Sequence, residues 1–371
     1  MSAARTSSST GDSVVSEPFI VQSHRGPYEV VFDEDALDRL AQDVPGNAHF
    51  ILDARVAELH AGVLAPVLSS PSVLRLKATE GAKSLDKIEG YVEELIARKI
   101  RRSDVLIAIG GGIIQDVTCF LATTLLRGLP WRFYPTTLLA QADSCVGSKS
   151  SINVGKNKNL LGTFYPPAQI AISTRVLQTL DPRDVRSGVG EMLKVHAIDG
   201  PRTFDAIAAD YARLFESPEL MAHYIRRSLL LKKRYVEEDE FDRGSRNVMN
   251  YGHSFGHAIE SATEFAVPHG IAVTLGMDLA NYVAFRLGRM GREHYDRMHP
   301  TLAKNYAGFE RTLVPLALFF GALSKDKKNT ATALRLILPD AEAHIGIVSC
   351  ESGDAFRGYC AEYLARERLL P

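Results

Sequence analysis

An α/β fold is predicted for this chain: a parallel-sheet domain over 18–178, then a mainly α-helical domain over 179–371. Three observations predict it. Short apolar stretches alternate with helical ones from about residue 28, the pattern of a parallel sheet with helices on its faces. One unit is sharply drawn, an apolar strand running into Gly110-Gly111-Gly112 and then into a long amphipathic helix. Past residue 178 the strand signal gives way to helical periodicity. At 371 residues the chain also exceeds what one hydrophobic core usually serves, so two domains are expected.

Taken in order, 1–17 is Ser-rich without an apolar core, and is expected to be a flexible tail rather than a signal peptide. YEVVF, HFILDA and SVLRL read as strands, with DEDALDRLAQ as a helix between the first two. DVLIAI, from Asp104, is a buried strand, IIQDVTCFLATTLL a helix and WRFYPTT the following strand. Three glycines between strand and helix let backbone amides approach a phosphate; a tight turn alone could explain them, but nucleotide binding is the favoured reading. Asp53, at the end of an earlier strand, is a candidate for ribose hydroxyls. LLAQADSCVGSKSSINVGKNKNLLG reads as a loop whose Lys149, Lys156 and Lys158 suit either solvent or an anionic substrate.

The helical part starts at DPRDVRSGVGEMLKVHAI with an Asp–Pro cap. ESPELMAHYIRRSLLLKKRYVEEDE follows as a long amphipathic helix. In RNVMNYGHSFGHAIE, residues Arg246, Asn250, His253 and His257 are spaced four, three and four apart. One α-helix would put all four on a single face, with Val248, Met249, Phe255 and Ala258 free to pack opposite. A surface helix with incidental histidines explains the spacing alone; the accompanying Arg and Asn, and His269 behind Pro268, favour a site. Glu191, three residues from Lys194, would complete a Glu–His–His set with His253 and His269, the three-ligand pattern of a catalytic zinc.

Composition excludes several classes. A net charge of −1 offers no electrostatic case for nucleic acid or an anionic membrane. The longest apolar run, Leu313 to Leu323, is too short to span a bilayer. Four cysteines (Cys119, Cys145, Cys350 and Cys360) form no CxxC pair, which fits a reducing cytoplasm. A soluble, cytoplasmic protein is expected.

GGGIIQD, LLRG, PTTLLAQADSCVGSK, KNLLGTFYPP, GEMLK, NYGHSFGHAIE and PHG, in this order, resemble the dehydroquinate synthase family of sugar-phosphate cyclases. The resemblance runs from about residue 28 to 340. It implies an N-terminal Rossmann-like domain holding NAD, a helical C-terminal domain holding Zn2+ (Co2+ as the alternative), and substrate in a cleft between them. It implies Glu191, His253 and His269 as metal ligands. Asp53, Glu80, Lys83, Gly110, Gly111, Gly112, Asp116, Thr136 and Thr137 would line NAD. Asp143, Lys149, Lys194, Asn250 and His257 would be catalytic, and Lys158, Asn159, Lys232, Arg246 and Lys327 would bind substrate. Arg127 would reach the partner subunit's site, which implies a homodimer.

The family's reaction eliminates phosphate from a sugar acid and closes a carbocycle without net redox change. Lys232 and Arg246 suit a substrate carboxylate, which favours 3-deoxy-arabino-heptulosonate 7-phosphate. Cyclases of the valiolone or 2-deoxy-scyllo-inosose type instead take sedoheptulose 7-phosphate or glucose 6-phosphate, which lack that group. A metal-dependent polyol dehydrogenase is the alternative from another class, one that would release NADH in bulk. Four positions depart from the family pattern: Ile271 stands where Glu is usual, and Gln115, Ser148 and Asn157 replace glycines.

Overall fold

The computed structural model describes residues 17–155, 157–325 and 333–369, and the chain divides into two compact units. The first runs to Thr179 and includes Met221–Arg226; the second comprises Leu180–Leu220 and the chain from Arg227 onward.

In the first unit the strands are β1 (Phe19–Val21), β2 (Tyr28–Phe32), β3 (Ala48–Asp53), β4 (Val73–Leu76), β5 (Val105–Gly110), β6 (Trp131–Pro135), β7 (Ile152–Val154), β8 (Asn157–Leu161) and β9 (Gln169–Ile172). Seven of them form one sheet in the order β1-β2-β9-β6-β5-β3-β4. Only β1 is antiparallel to its neighbour, on the edge. β5 is buried along its whole length and β3 along five of its six residues, as strands covered on both faces must be. Phe50, Leu52, Ile107 and Ile109 anchor the core on one face, against Leu37, Leu40 and Val67.

The chain places β3 and β4 on one side of β5, then β6 and β9 on the other. The switch therefore lies between the carboxyl ends of β3 and β5, where open parallel sheets bind ligands. Asp53 ends β3 and Gly110 ends β5; Glu80 and Lys83 follow β4, and Thr136 and Thr137 follow β6.

Two readings of this unit need correction. The stretch after β6 is not a plain solvated loop: Ala140–Ser144 makes a buried π-helical turn, and β7 and β8 form an antiparallel hairpin. The helix after the glycines, Gly112–Thr124, stops before the predicted end, because Leu126 (φ 53) and Arg127 (φ 68) turn left-handed ahead of Gly128.

The second unit is built on helices Pro182–Asp199, His253–Ala262, His269–Arg286, Arg292–Tyr306 and Asp354–Ala365. It also contains an antiparallel pair, β10 (Ala333–Pro339) with β11 (Ile345–Glu351), which the helical reading of this region missed. Asp278 ties three helices together: its fully buried Oδ2 accepts from Tyr306 and Tyr363 hydroxyls at 2.9 and 2.8 Å and lies 2.8 Å from His299 Nδ1. Among the described residues, no helix is long and apolar enough to cross a membrane.

Candidate active site

Three helices of the second unit approach one another through glycines. A Cβ on Gly190 would come within 2.3 Å of the Gly270 carbonyl oxygen, and one on Gly270 within 1.8 Å of the Ser187 carbonyl oxygen. Gly276 meets the Gly252 carbonyl in the same way, at 2.1 Å. Backbone therefore lies against backbone at Gly190 and Gly270, the neighbours of Glu191 and His269. Both positions are glycine because any side chain there would collide with the facing backbone.

The result is a tight acidic–imidazole cluster. Glu191 Oε1 lies 3.7 Å from His253 Nε2 and 3.4 Å from His269 Nε2. Its Oε2 is 2.5 Å from Lys194 Nζ, with both side chains almost wholly buried. Burial would raise the Glu191 pKa, but Lys194 first, then the two histidines, outweigh it and hold the carboxyl ionised, well below the usual range. Burial drives His253 well below an ordinary imidazole, leaving it neutral. Burial also opposes charge on His269, yet the Glu191 and Glu260 carboxylates beside it push it up to about 10.

The donor set fits a divalent ion. Glu191 Oε1 is a buried carboxylate oxygen with no hydrogen-bond partner among the described residues, facing two imidazole nitrogens. His253, His257 and His269 also bring ligand atoms within 4.8 Å of one another. His257 is exposed, its ring 5.3 Å from that of His253 and 5.6 Å from that of His269.

The predicted single stripe from Arg246 to His257 is not one helix. Ser245–Asn250 is a 3-10 turn, Gly252 is left-handed (φ 77), and the α-helix starts only at His253. A Cβ at Gly252 would strike Met277 and the Val273 carbonyl at 2.6 Å, so the break is imposed by packing against the next helix. Met249, Phe255 and Ala258 do pack inward. Arg246 is buried and donates to the Glu240 carbonyl at 2.5 Å; Asn250 donates to the Asn247 carbonyl at 3.1 Å, and Lys232 is buried on helix Pro218–Glu238.

Two acidic residues of this region were not singled out from the sequence. Asp239 accepts backbone N–H bonds from Arg243, Gly244 and Arg246, at 2.9, 2.7 and 3.2 Å, and so sets the loop that carries Arg246. Glu260 Oε2 lies 3.2 Å from His269 Nδ1. Its signal was available, since His253, His257 and Glu260 follow i, i+4, i+7 spacing.

In the first unit, Gly110 ends β5, Gly111 caps the following helix and Gly112 opens it. A Cβ on Gly111 would reach Thr137 Cγ2 at 2.8 Å, so loop and Thr137 are in close contact. Thr136 is buried. Lys83 joins the predicted cofactor and substrate groups: its Nζ lies 2.8 Å from Asp116 Oδ2, 2.9 Å from Asn159 Oδ1 and 3.2 Å from Ser151 Oγ. Glu80 holds Asn153 Nδ2 through its Oε2 at 3.0 Å. Asp53 caps helix Ala54–Leu59 by accepting from Arg55 N at 2.9 Å, and burial raises its pKa.

Asp143 is buried in the π-helical turn, while Arg127, Lys149, Lys158 and Asn159 are exposed. Lys327 lies outside the described residues. Of the departures, Ile271 is wholly buried and serves as core. Gln115 makes a reciprocal pair with Ser144, donating to its carbonyl and accepting from its hydroxyl, both at 2.7 Å. The extra side chain thus clamps the π-helical turn to the glycine-loop helix.

The family model described as 3-dehydroquinate synthase N-terminal matches residues 73–187, and its C-terminal counterpart matches 188–329. A 3-dehydroquinate synthase of Paracoccus denitrificans is 35% identical over 327 residues, covering 84% of this chain and 89% of that protein. Two solved structures share the fold. A 2-deoxy-scyllo-inosose synthase complexed with carbaglucose-6-phosphate, NAD+ and Co2+ is 23% identical, with a TM-score of 0.83 over 93% of this chain and all of that one (100%). The 2-epi-5-epi-valiolone synthase of Streptomyces hygroscopicus subsp. jinggangensis, with NAD+ and Zn2+ bound, is 25% identical, with a TM-score of 0.80 over 92% and 97% of the two chains.

Proposed function

The chain belongs to the 3-dehydroquinate synthase family, and from that premise we propose that it converts 3-deoxy-arabino-heptulosonate 7-phosphate to 3-dehydroquinate and phosphate. It is a carbocycle-forming, phosphate-eliminating lyase, and it would use NAD and a divalent metal ion, the groups bound in the two cyclase structures it resembles. The observation that carries the reading is the convergence of His253 and His269 Nε2 on the buried Glu191 Oε1 at 3.7 and 3.4 Å.

Glu191, His253 and His269 would hold the metal, Zn2+ by preference, which when bound polarises a substrate hydroxyl as a Lewis acid. Asp53, Glu80, Lys83, Gly110–Gly112, Asp116, Thr136 and Thr137 would hold NAD, which when bound would supply reversible hydride chemistry. Lys194 keeps Glu191 ionised by pairing with its Oε2, so the ligand oxygen needs no deprotonation. His257, exposed beside His253 and His269, would exchange a proton with a substrate oxygen. Asp143 and Asn250 would orient substrate hydroxyls. Lys149, Lys158 and Asn159 would bind the phosphate, with Lys327 as a further cation from sequence.

Arg246 and Lys232 would bind the substrate carboxylate. Arg246 donates one guanidinium N–H to the Glu240 carbonyl, which restrains the side chain. Turnover assays that follow phosphate release and identify the ring product test this. Arg246→Ala is expected to lower kcat/KM for the heptulosonate by about 2–3 kcal/mol, the worth of a charge-assisted contact. Faster phosphate release by the parent from sedoheptulose 7-phosphate or glucose 6-phosphate would remove the carboxylate assignment.

We also propose a homodimer in which Arg127 serves the partner's site. Leu126, Arg127 and Gly128 are consecutive left-handed residues (φ 53, 68 and 120), a conformation kept at a cost that presents Arg127 outward. An Arg127→Ala chain mixed with a His253→Ala chain should regain part of the parent activity in heterodimers. Mixtures as inactive as their components would mean that each site is built from one chain.

A further inference from the structure

The two ligand histidines are held by the same device in two forms. His253 Nδ1 lies 3.2 Å from the Tyr251 carbonyl oxygen, and His269 Nδ1 lies 3.2 Å from Glu260 Oε2. In each ring the nitrogen turned away from Glu191 is thus engaged by an oxygen, and Nε2 is the one left towards Glu191. For His253 the backbone does this, where no substitution can alter it. For His269 a side chain does it.

We propose that Glu260 is a positioning residue for the metal centre: it accepts from His269 Nδ1–H, and so fixes the tautomer and ring plane that present Nε2 to the ion. The inference rests on the metal site proposed above.

Its placement argues for a role beyond packing. Glu260 is largely buried and sits in the last turn of helix His253–Ala262, where the helix dipole disfavours an anion. Burial and dipole both oppose the carboxylate, so something must offset them. The imidazole of His269, at the first position of the next helix, is the partner the structure supplies. The chain between them is folded back tightly: Phe265 N donates to the Glu260 carbonyl at 2.8 Å, and Glu264 and Phe265 are both left-handed (φ 51 and 63). The turn brings Glu260 and His269, nine residues apart, into contact.

Carboxylates in this outer position typically change metal affinity by about 10–100-fold when removed, because they fix orientation and raise ligand basicity. Leucine removes charge and acceptor together. Glutamine removes the charge and keeps an acceptor oxygen.

The test is a Co2+ titration of the full-length chain after metal removal, by competition with a chromophoric chelator, together with the visible spectrum of the Co2+ form. Parent, Glu260→Gln, Glu260→Leu and Glu191→Gln are compared. Glu260→Leu is expected to weaken Co2+ binding by about 100-fold and Glu260→Gln by about tenfold, each with an altered ligand-field spectrum. Should Glu260→Leu fail to fold, the isosteric Glu260→Gln carries the test by itself. Affinity and spectrum unchanged in the Glu260 variants, with binding lost in Glu191→Gln, would overturn the inference and leave the metal site standing. Affinity unchanged in Glu191→Gln as well would overturn the site itself.

Discussion

Glu191→Gln is expected to abolish turnover, lowering kcat/KM by at least ~10³-fold, and to empty the metal site. Glutamine keeps the shape of glutamate and removes only its charge. The loss strikes twice. Two imidazole nitrogens and a neutral amide oxygen would no longer hold the ion, and the Lewis-acid stabilisation it would supply, worth several kcal/mol, would go with it. Lys194 would remain buried beside the site with its 2.5 Å partner neutralised, and breaking a buried ion pair from one side costs about 3–5 kcal/mol. Metal content by elemental analysis, phosphate release and urea unfolding check the three consequences separately. Glu191→Asp, which restores the charge on a shorter stem, should recover stability before it recovers activity. Full metal content and near-parent activity in Glu191→Gln would exclude Glu191 as a ligand.

Lys83→Met is expected to destabilise the first unit by about 3–5 kcal/mol, for the same reason in a different place. Lys83 is buried, and Asp116 beside it is partly buried. Burial is the largest influence on Asp116 and raises its pKa; the Lys83 ammonium is the main influence opposing it. Methionine preserves the length of the side chain, strands the Asp116 charge and leaves Asn159 Oδ1 without its 2.9 Å donor. Because the stranded carboxyl then has a folded pKa above its unfolded one, the deficit should shrink as pH falls below the usual carboxylate value and grow as pH rises through the folded one. Adding Asp116→Asn should restore most of the stability, since the pair is then neutral on both sides. A Lys83→Met cost below about 1 kcal/mol would mean that water or another cation already serves Asp116.

Much of the fold was legible because burial on both faces leaves a period-free apolar mark. AHFILD and VLIAIG announce central parallel strands, and the glycines after β5 announce a backbone that must come close to something. The β10–β11 hairpin was missed although ALRLILP is strand-like, because the helical signal around it dominated the window. The Lys-rich stretch was read from composition as a loop, whereas Ala140–Ser144 is buried by packing that composition does not encode.

The candidate site divides along the same line. Sequence determined which residues could do the chemistry: a carboxylate, two imidazoles, a lysine three residues from the carboxylate, and the glycines beside them. It determined their order and their local spacing, because donor type and helix period are properties of the chain itself. Only the tertiary structure decided which of those groups meet. Arg246 and Asn250 fall off the histidine helix because Gly252, pressed against Met277 and Val273, cannot continue it. Lys83 meets Asp116 and Asn159, thirty-three and seventy-six residues away, and Glu260 meets His269 across a left-handed turn. Such contacts are set by helix against helix and strand beside strand. No periodicity reports them, because periodicity describes one element and these contacts each join two.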